Sequence, residues 1–266
     1  MRKVLRDKQN TDYWENRWAS SGVDEDGFKN EEIYPIKYAK KLVTESSKIL
    51  EAGCGAGRVY FHYKKLGYDI KGIEYSQRAV SNILQKDPNA DVIQGSITNL
   101  PYEDNSFNAV LAFGLYHNIE DVSELQKSFE ETYRVLEKGG QLVASVRFDS
   151  LENNMIENIV RKRAKGKTFD KFHRWHFSLN DMKNLLSEKM KIEEVYTARN
   201  VSFLFKYDFF RTKDLKSSSF QESEARSSGF KLNFIGSVLD KALHSLFPNL
   251  FSNLLVIIAK RISDKT

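Results

Sequence analysis

The sequence predicts an α/β architecture, a parallel β-sheet with helices on both faces. Between Lys48 and Phe148, apolar strand-type runs alternate with single helical patterns. Strands joined by one helix each need crossover connections, which make the sheet parallel. The first run, Ile49-Leu50-Glu51-Ala52, passes directly into Gly53-Cys54-Gly55-Ala56-Gly57. Such a turn lets backbone approach a bound molecule closely, because glycine lacks a Cβ and tolerates φ > 0. A long helical pattern halts at Gly139-Gly140 before another apolar run, as helices commonly do at their C-terminus.

Each element follows in turn. Residues 49–52 read as a buried strand, 58–66 as a helix and 69–73 as a second strand. Ser76 opens a helix over 76–86 that closes near Asp87-Pro88, since serine caps free N–H groups and proline stops propagation. Strands follow at 91–94 and 108–113, a helix at 121–136 and a fifth strand at 141–146. In such sheets ligands bind beyond the carboxyl ends of the strands, and the glycine turn lies at one of these ends.

The second half is less regular. Residues 178–189 read as a Ser-capped helix, 191–197 as a strand, and 201–211 as helix or strand, an ambiguity inherent to short apolar runs. Residues 212–230 are rich in Ser and charge and predict a mobile segment. Over 234–247, Phe234, Ile235, Val238, Leu239, Ala242, Leu243 and Leu246 form one helical stripe, expected to be core or a lid over an acceptor. Residues 253–260 read as a final strand.

Composition bounds the function. A chain of 266 residues can bury a sizeable core, and 41% hydrophobic with 29% charged residues is ordinary for a globular protein. The net charge of +5 tolerates an acidic partner without demanding nucleic acid. Cys54, the single cysteine, excludes an internal disulfide and suits a reducing compartment. The first residues carry no apolar signal-type region, and no run approaches the ~18–20 apolar residues that span a bilayer. A cytoplasmic location is therefore expected, with no membrane span. Oligomeric state is not legible.

Among ligands that use glycine turns, a phosphate-binding P-loop needs Lys-Ser/Thr after the last glycine, but Arg58-Val59 stands there. The dinucleotide pattern G-x-G-x-x-G/A, counted from Gly53, meets Arg58 where a small residue is required. The pattern present is E-x-G-x-G-x-G.

Five segments in order resemble the S-adenosylmethionine-dependent methyltransferases with the Rossmann-like fold, especially the type-11 group. They are Glu51 to Gly57, Ile70 to Ser76 with its terminal Glu74, Gln94-Gly95-Ser96-Ile97 to Tyr102, Asn105-Ser106-Phe107-Asn108, and Tyr133-Arg134-Val135-Leu136-Glu137-Lys138-Gly139-Gly140. The resemblance covers roughly residues 47–146. It implies a three-layer α/β/α sandwich whose sheet has seven strands, the last antiparallel. Residues 1–45 would form a helical cap, 46–148 the cofactor core, and 149–266 the rest of the same domain with acceptor-side insertions. Departures are Ser96 and Asn108 where the family often has acids, and Lys138 in place of a proline.

The resemblance also assigns roles. S-adenosylmethionine would be held by Ala52, Gly53, Cys54, Gly55 and Gly57, with Glu51 toward its ammonium and Glu74 on the ribose hydroxyls. Tyr75, Ser96, Ile97 and Phe113 would border it, with Ser96 and Ile97 flanking the adenine. Trp14, in Asp12-Tyr13-Trp14-Glu15-Asn16-Arg17-Trp18, would cover the sulfonium. Glu74 could instead be a solvated strand-end carboxylate, Cys54 a small filler, and Trp14 a packing residue. In the loop after the fourth strand, His117 with Tyr116 beside it is the candidate catalytic group, because an imidazole suits proton transfer at neutral pH. A structural role for His117 stands beside that.

Tyr34, Arg147, His173 and His176 are acceptor-side candidates. The last two lie in the basic, aromatic stretch from Arg161 to Phe177, which could hold a phosphate or carboxylate, stack a base, or simply be a solvated face. No metal is expected. The function expected is methyl transfer to O, N or C of a small or medium-sized acceptor. The alternatives are RNA modification and a non-catalytic protein that binds the cofactor.

Overall fold

The computed structural model describes residues 1–7, 14, 18, 33–44, 46–164, 166–186, 189–199, 202–212 and 231–262. Its centre is a sheet built from β2 (Lys48–Ala52), β3 (Asp69–Glu74), β4 (Val92–Gln94), β5 (Phe107–Phe113), β6 (Leu136–Arg147), β8 (Met190–Ala198) and β9 (Leu254–Arg261). The seven strands are ordered β4-β3-β2-β5-β6-β9-β8. β2, β3, β4, β5 and β6 pair in parallel, and β9 runs antiparallel to both β6 and β8. The expected sheet, with its reversed last strand, is present.

Alternation along the strands divides the core between the two faces of the sheet. Leu50, Ala52, Val110, Ala112 and Leu142 pack in one cluster, while Ile49, Leu111, Val143, Val256 and Ile258 pack in the other. Among the flanking helices are α1 (Tyr34–Ala39), α2 (Arg58–Lys65), α3 (Gln77–Lys86), α4 (Val122–Val135), α5 (Leu151–Arg163) and α6 (Leu179–Leu186). Capping follows the sequence: the side chain of Ser76 accepts from the Ala79 amide, and Asp121 accepts from Ser123 and Glu124. No helix among the described residues is long and apolar enough to cross a membrane.

Four features differ from expectation. α4 ends at Val135 instead of running on to the glycine pair, because Leu136 already pairs with Phe107 in the sheet. In the segment 201–211, expected as helix or strand, the described residues 202–211 form neither a long helix nor a strand; two short 3-10 turns, Phe203–Lys206 and Asp208–Phe210, occupy most of them. The chain begins as a strand, β1 (Arg2–Arg6), paired antiparallel with β7 (Lys171–His176) outside the main sheet. Finally, α7 (Phe234–Leu246) forms as a helix, yet its apolar stripe is exposed and belongs to no core. The mobile segment expected over 212–230 lies, beyond Thr212, outside the described residues.

Candidate functional site

Strand register gathers the carboxyl ends of β2, β3, β5 and β6 along one edge. Glu51 sits level with Leu111, Leu111 with Val143, and Phe113 with Ser145. The glycine turn is sewn to that edge: the Gly53 amide donates to Ile73 O at 2.8 Å and Gly57 N to Cys54 O at 2.8 Å. Gly53, Gly55 and Gly57 all have positive φ, at 72°, 54° and 75°, a region costly for residues with a Cβ. A Cβ on Gly55 would lie 2.9 Å from the Trp18 ring, so the bare backbone is what admits the indole.

Glu74 reaches back from the end of β3 into this turn. Its carboxylate accepts the Gly55 amide at 2.9 Å and the Ser76 amide at 3.0 Å. The carboxylate thus ties the glycine turn to the start of the next helix.

Glu51 is buried, and its Oε2 has no hydrogen-bond partner in the structure. Burial raises its pKa from 4.5 to about 8, opposed by the Tyr60 amide and the Arg58 charge. An orphaned buried carboxyl costs stability unless a partner arrives. A ligand ammonium is such a partner. The bare backbone of the glycine turn and this acid together fit S-adenosylmethionine.

The other expected cofactor residues divide by depth. Ala52 and Ile97 are buried in the core, which leaves their main chain to offer. Cys54 is buried too, and burial pushes its thiol pKa well up, which disfavours the thiolate. Ser96 closes a local turn: its hydroxyl lies 2.8 Å from Thr98 Oγ1 and accepts the Thr98 amide at 3.2 Å. Tyr75 is 71% exposed beside Glu74. Trp14 stacks on Trp18 with ring centroids 5.8 Å apart, and Trp18 is the ring against Gly55. The remainder of that N-terminal motif lies outside the described residues.

On the other side of the edge, Tyr34 meets Phe113 edge-on at 6.0 Å, and its hydroxyl lies 3.3 Å from Ser145 Oγ. Ser145 also accepts the Gly114 amide, through Oγ at 3.0 Å. Sequence reasoning passed over Ser145; its signal was a lone hydroxyl inside the apolar run Leu142-Val143-Ala144-Ser145-Val146.

Tyr116 is not part of the site. Its ring is fully buried against Phe129, and its phenol bonds Thr132 Oγ1 at 2.7 Å. The 3-10 turn Tyr116–Asn118 sends this side chain inward. His117 is buried as well, with Nδ1 unpartnered. Burial, then the charges of Arg147 and Arg174 and the neighbouring His176 and His173, hold its pKa well below 6.5.

Arg147, His173, Arg174 and His176 lie near this imidazole. The Phe177 amide donates to Arg147 O at 2.8 Å, joining the ends of β6 and β7. His173 and His176 are each pushed down to about 2, first by burial and then by nearby arginines. Arg2 on β1 binds His176 Nδ1 at 2.6 Å and Asp149 at 2.8 Å. Around neutral pH this corner presents uncharged imidazoles among guanidinium cations.

Comparison with known proteins matches this geometry. Residues 50–144 match the model of a methyltransferase domain family, type 11. A demethylmenaquinone methyltransferase of Paenarthrobacter aurescens is 35% identical over 102 residues, 38% of this chain and 39% of the relative. A ubiquinone/menaquinone biosynthesis C-methyltransferase of Campylobacter jejuni is 33% identical over 103 residues, 36% of this chain and 43% of the relative. The chain thus matches about two fifths of the length of these curated relatives. The structure of an S-adenosylmethionine-dependent methyltransferase from Methanosarcina mazei superposes with a TM-score of 0.58 at 16% identity, over 87% of this chain and 99% of that one. That of a Pyrococcus horikoshii protein gives 0.60 at 13% identity, over 94% and 98%. At such identities the structural likeness speaks for the fold, and the family match speaks for the cofactor core. Residues 50–144 therefore match the type-11 methyltransferase domain family, inside a fold shared with a solved S-adenosylmethionine-dependent methyltransferase.

Proposed function

We propose that this protein transfers a methyl group from S-adenosylmethionine to a small or medium-sized organic acceptor. The observation that carries the reading is the pairing of an orphaned buried acid, Glu51, with a glycine cradle braced by Glu74. Bound there, S-adenosylmethionine supplies a methyl group on a positively charged sulfur, open to in-line displacement. Glu51 would hold the ammonium, and Glu74, at the end of β3 beside the turn, would hold the ribose hydroxyls. Tyr75 and the Ser96-Ile97 loop border the adenine, while Trp14 and Trp18 close over the turn.

The chain's remaining task is alignment, since displacement needs the reacting atoms ~3–3.5 Å apart. Tyr34 and Phe113 form an aromatic wall. His117 is neutral, so its Nδ1 accepts a hydrogen bond or a proton from the acceptor. Arg147 and Arg174, set among the neutral imidazoles of His173 and His176, supply a cationic environment that favours an acceptor bearing or developing negative charge. The relatives named for demethylmenaquinone methylation support a small organic acceptor. A cytoplasmic setting accords with a lone, buried cysteine.

The test is transfer of labelled methyl from S-adenosylmethionine into fractionated cell metabolites by the purified chain. Label is expected in a small-molecule fraction and lost with His117→Ala. Label confined to RNA, or none in any fraction despite cofactor binding, would overturn the reading.

A further inference from the structure

Helix α7 is mounted with its polar side inward. Asp240 pairs with Arg199 at 2.6 Å, Ser237 Oγ donates to Leu232 O at 3.2 Å, and His244 Nδ1 lies 3.0 Å from Ser252 Oγ. Gly236 is buried, and a Cβ there would stand 3.0 Å from Phe210 O. Positions 236, 237, 240 and 244 recur at helical spacing and define one face. The opposite face carries Phe234, Ile235, Val238, Leu239 and Leu246, with Phe234 83% and Leu246 70% exposed. A helix that only stabilises its own fold turns such a stripe toward the core. This one offers it to the outside, beside Phe209, which is 64% exposed.

Charge selects what the face meets. Lys231 and Lys241 are exposed at its margins, and neither forms an ion pair among the described residues. Among the described residues, two acids on and beside α7 are paired within the protein: Asp240 with Arg199, and Asp208 with Arg211 at 2.7 Å. Two copies meeting through this face would bring the lysines of both together, a like-charge contact. An anionic lipid surface complements them instead. Position adds to this. Arg199 directly follows β8, whose last residue Ala198 is level with Leu254 and so with Arg147. The apolar face therefore stands at the same edge of the sheet as the glycine turn.

We propose that α7 docks the protein onto anionic phospholipid membranes, its outer face entering the interface and Lys231 and Lys241 meeting the headgroups. The helix lies on the membrane and does not cross it. The inference stands independently of methyl transfer.

The test is flotation of the full chain with vesicles of phosphatidylcholine, with or without phosphatidylglycerol. Binding to the anionic vesicles is expected, weakened by salt and reduced roughly tenfold or more by Val238→Ser, Leu239→Ser and Leu246→Ser together. Lys231→Glu with Lys241→Glu leaves the apolar face intact and should weaken binding roughly tenfold as well. Circular dichroism and melting temperature should match the parent in both variants. Absence of flotation, binding indifferent to both variants, or a dimer in sedimentation that the serine variant dissolves would each overturn the proposal. Since no methyl transfer is read, such a failure leaves the catalytic reading untouched.

Discussion

The Gly55 amide donates to the Glu74 carboxylate over 2.9 Å, so the acid ending β3 holds the shape of the turn leaving β2. The other carboxylate oxygen, Oε1, accepts Ser76 N at the start of α3. One side chain thereby couples the cradle to the next crossover, which gives Glu74 a structural duty alongside its proposed hold on ribose.

Replacing Glu74 with Ala should weaken S-adenosylmethionine binding by ~1.5–3 kcal/mol, the usual worth of hydrogen bonds to a charged group. Calorimetric titration measures it. Unchanged affinity would remove Glu74 from the ribose site.

Glu51 makes cofactor binding proton-linked. Its folded pKa of about 8 lies above the ordinary 4.5, so in the ligand-free protein its contribution to stability is fully present below pH 4.5. That contribution is lost as pH rises through about 8. Pairing with an ammonium favours the ionised form, so binding near neutral pH should release a proton from Glu51. Titrations in buffers of different ionisation enthalpy will show it, and Glu51→Gln should abolish this release.

His117→Ala should lower kcat by about a hundredfold if the imidazole takes a proton in the transition state, with cofactor affinity near normal. Because burial and arginines keep His117 neutral through ordinary assay conditions, the kcat profile should show no limb near pH 6.5 from this group. Unaltered turnover in the variant would make His117 a packing residue.

The Arg199–Glu152 pair joins the start of α5 to the segment after β8, and Glu152 is completely buried. Arg199→Ala leaves that carboxyl without its cation. A loss of about 3–5 kcal/mol in unfolding free energy is expected, read by urea denaturation. Glu152→Gln with Arg199→Met should recover much of it.

Much of the central fold was legible because its signals are local. Ser76 caps within three residues, the glycines mark a turn on their own, and alternation across Ile49 and Leu50 states which strands are buried on both faces. The pairing of β1 with β7 was not legible. It joins polar segments distant in sequence, and Arg2 reaches His176 only after folding. Periodicity showed that α7 has an apolar stripe but carries no sign of which way it faces; the inward contacts of Asp240 and His244 decide that. At the site, Tyr116 and His117 are adjacent and equally plausible on paper. The 3-10 turn separates them, sending the phenol to Thr132. Trp14 and Trp18 share one motif, and only packing against Gly55 distinguishes them.

Equilibrium titration of S-adenosylmethionine into the purified chain, alongside NAD and ATP, tests the central claim most directly. Saturable binding of the sulfonium compound at one site per chain, weakened at least tenfold by Glu74→Ala, is the expected result. No binding, or preference for either of the other nucleotides, would contradict the account.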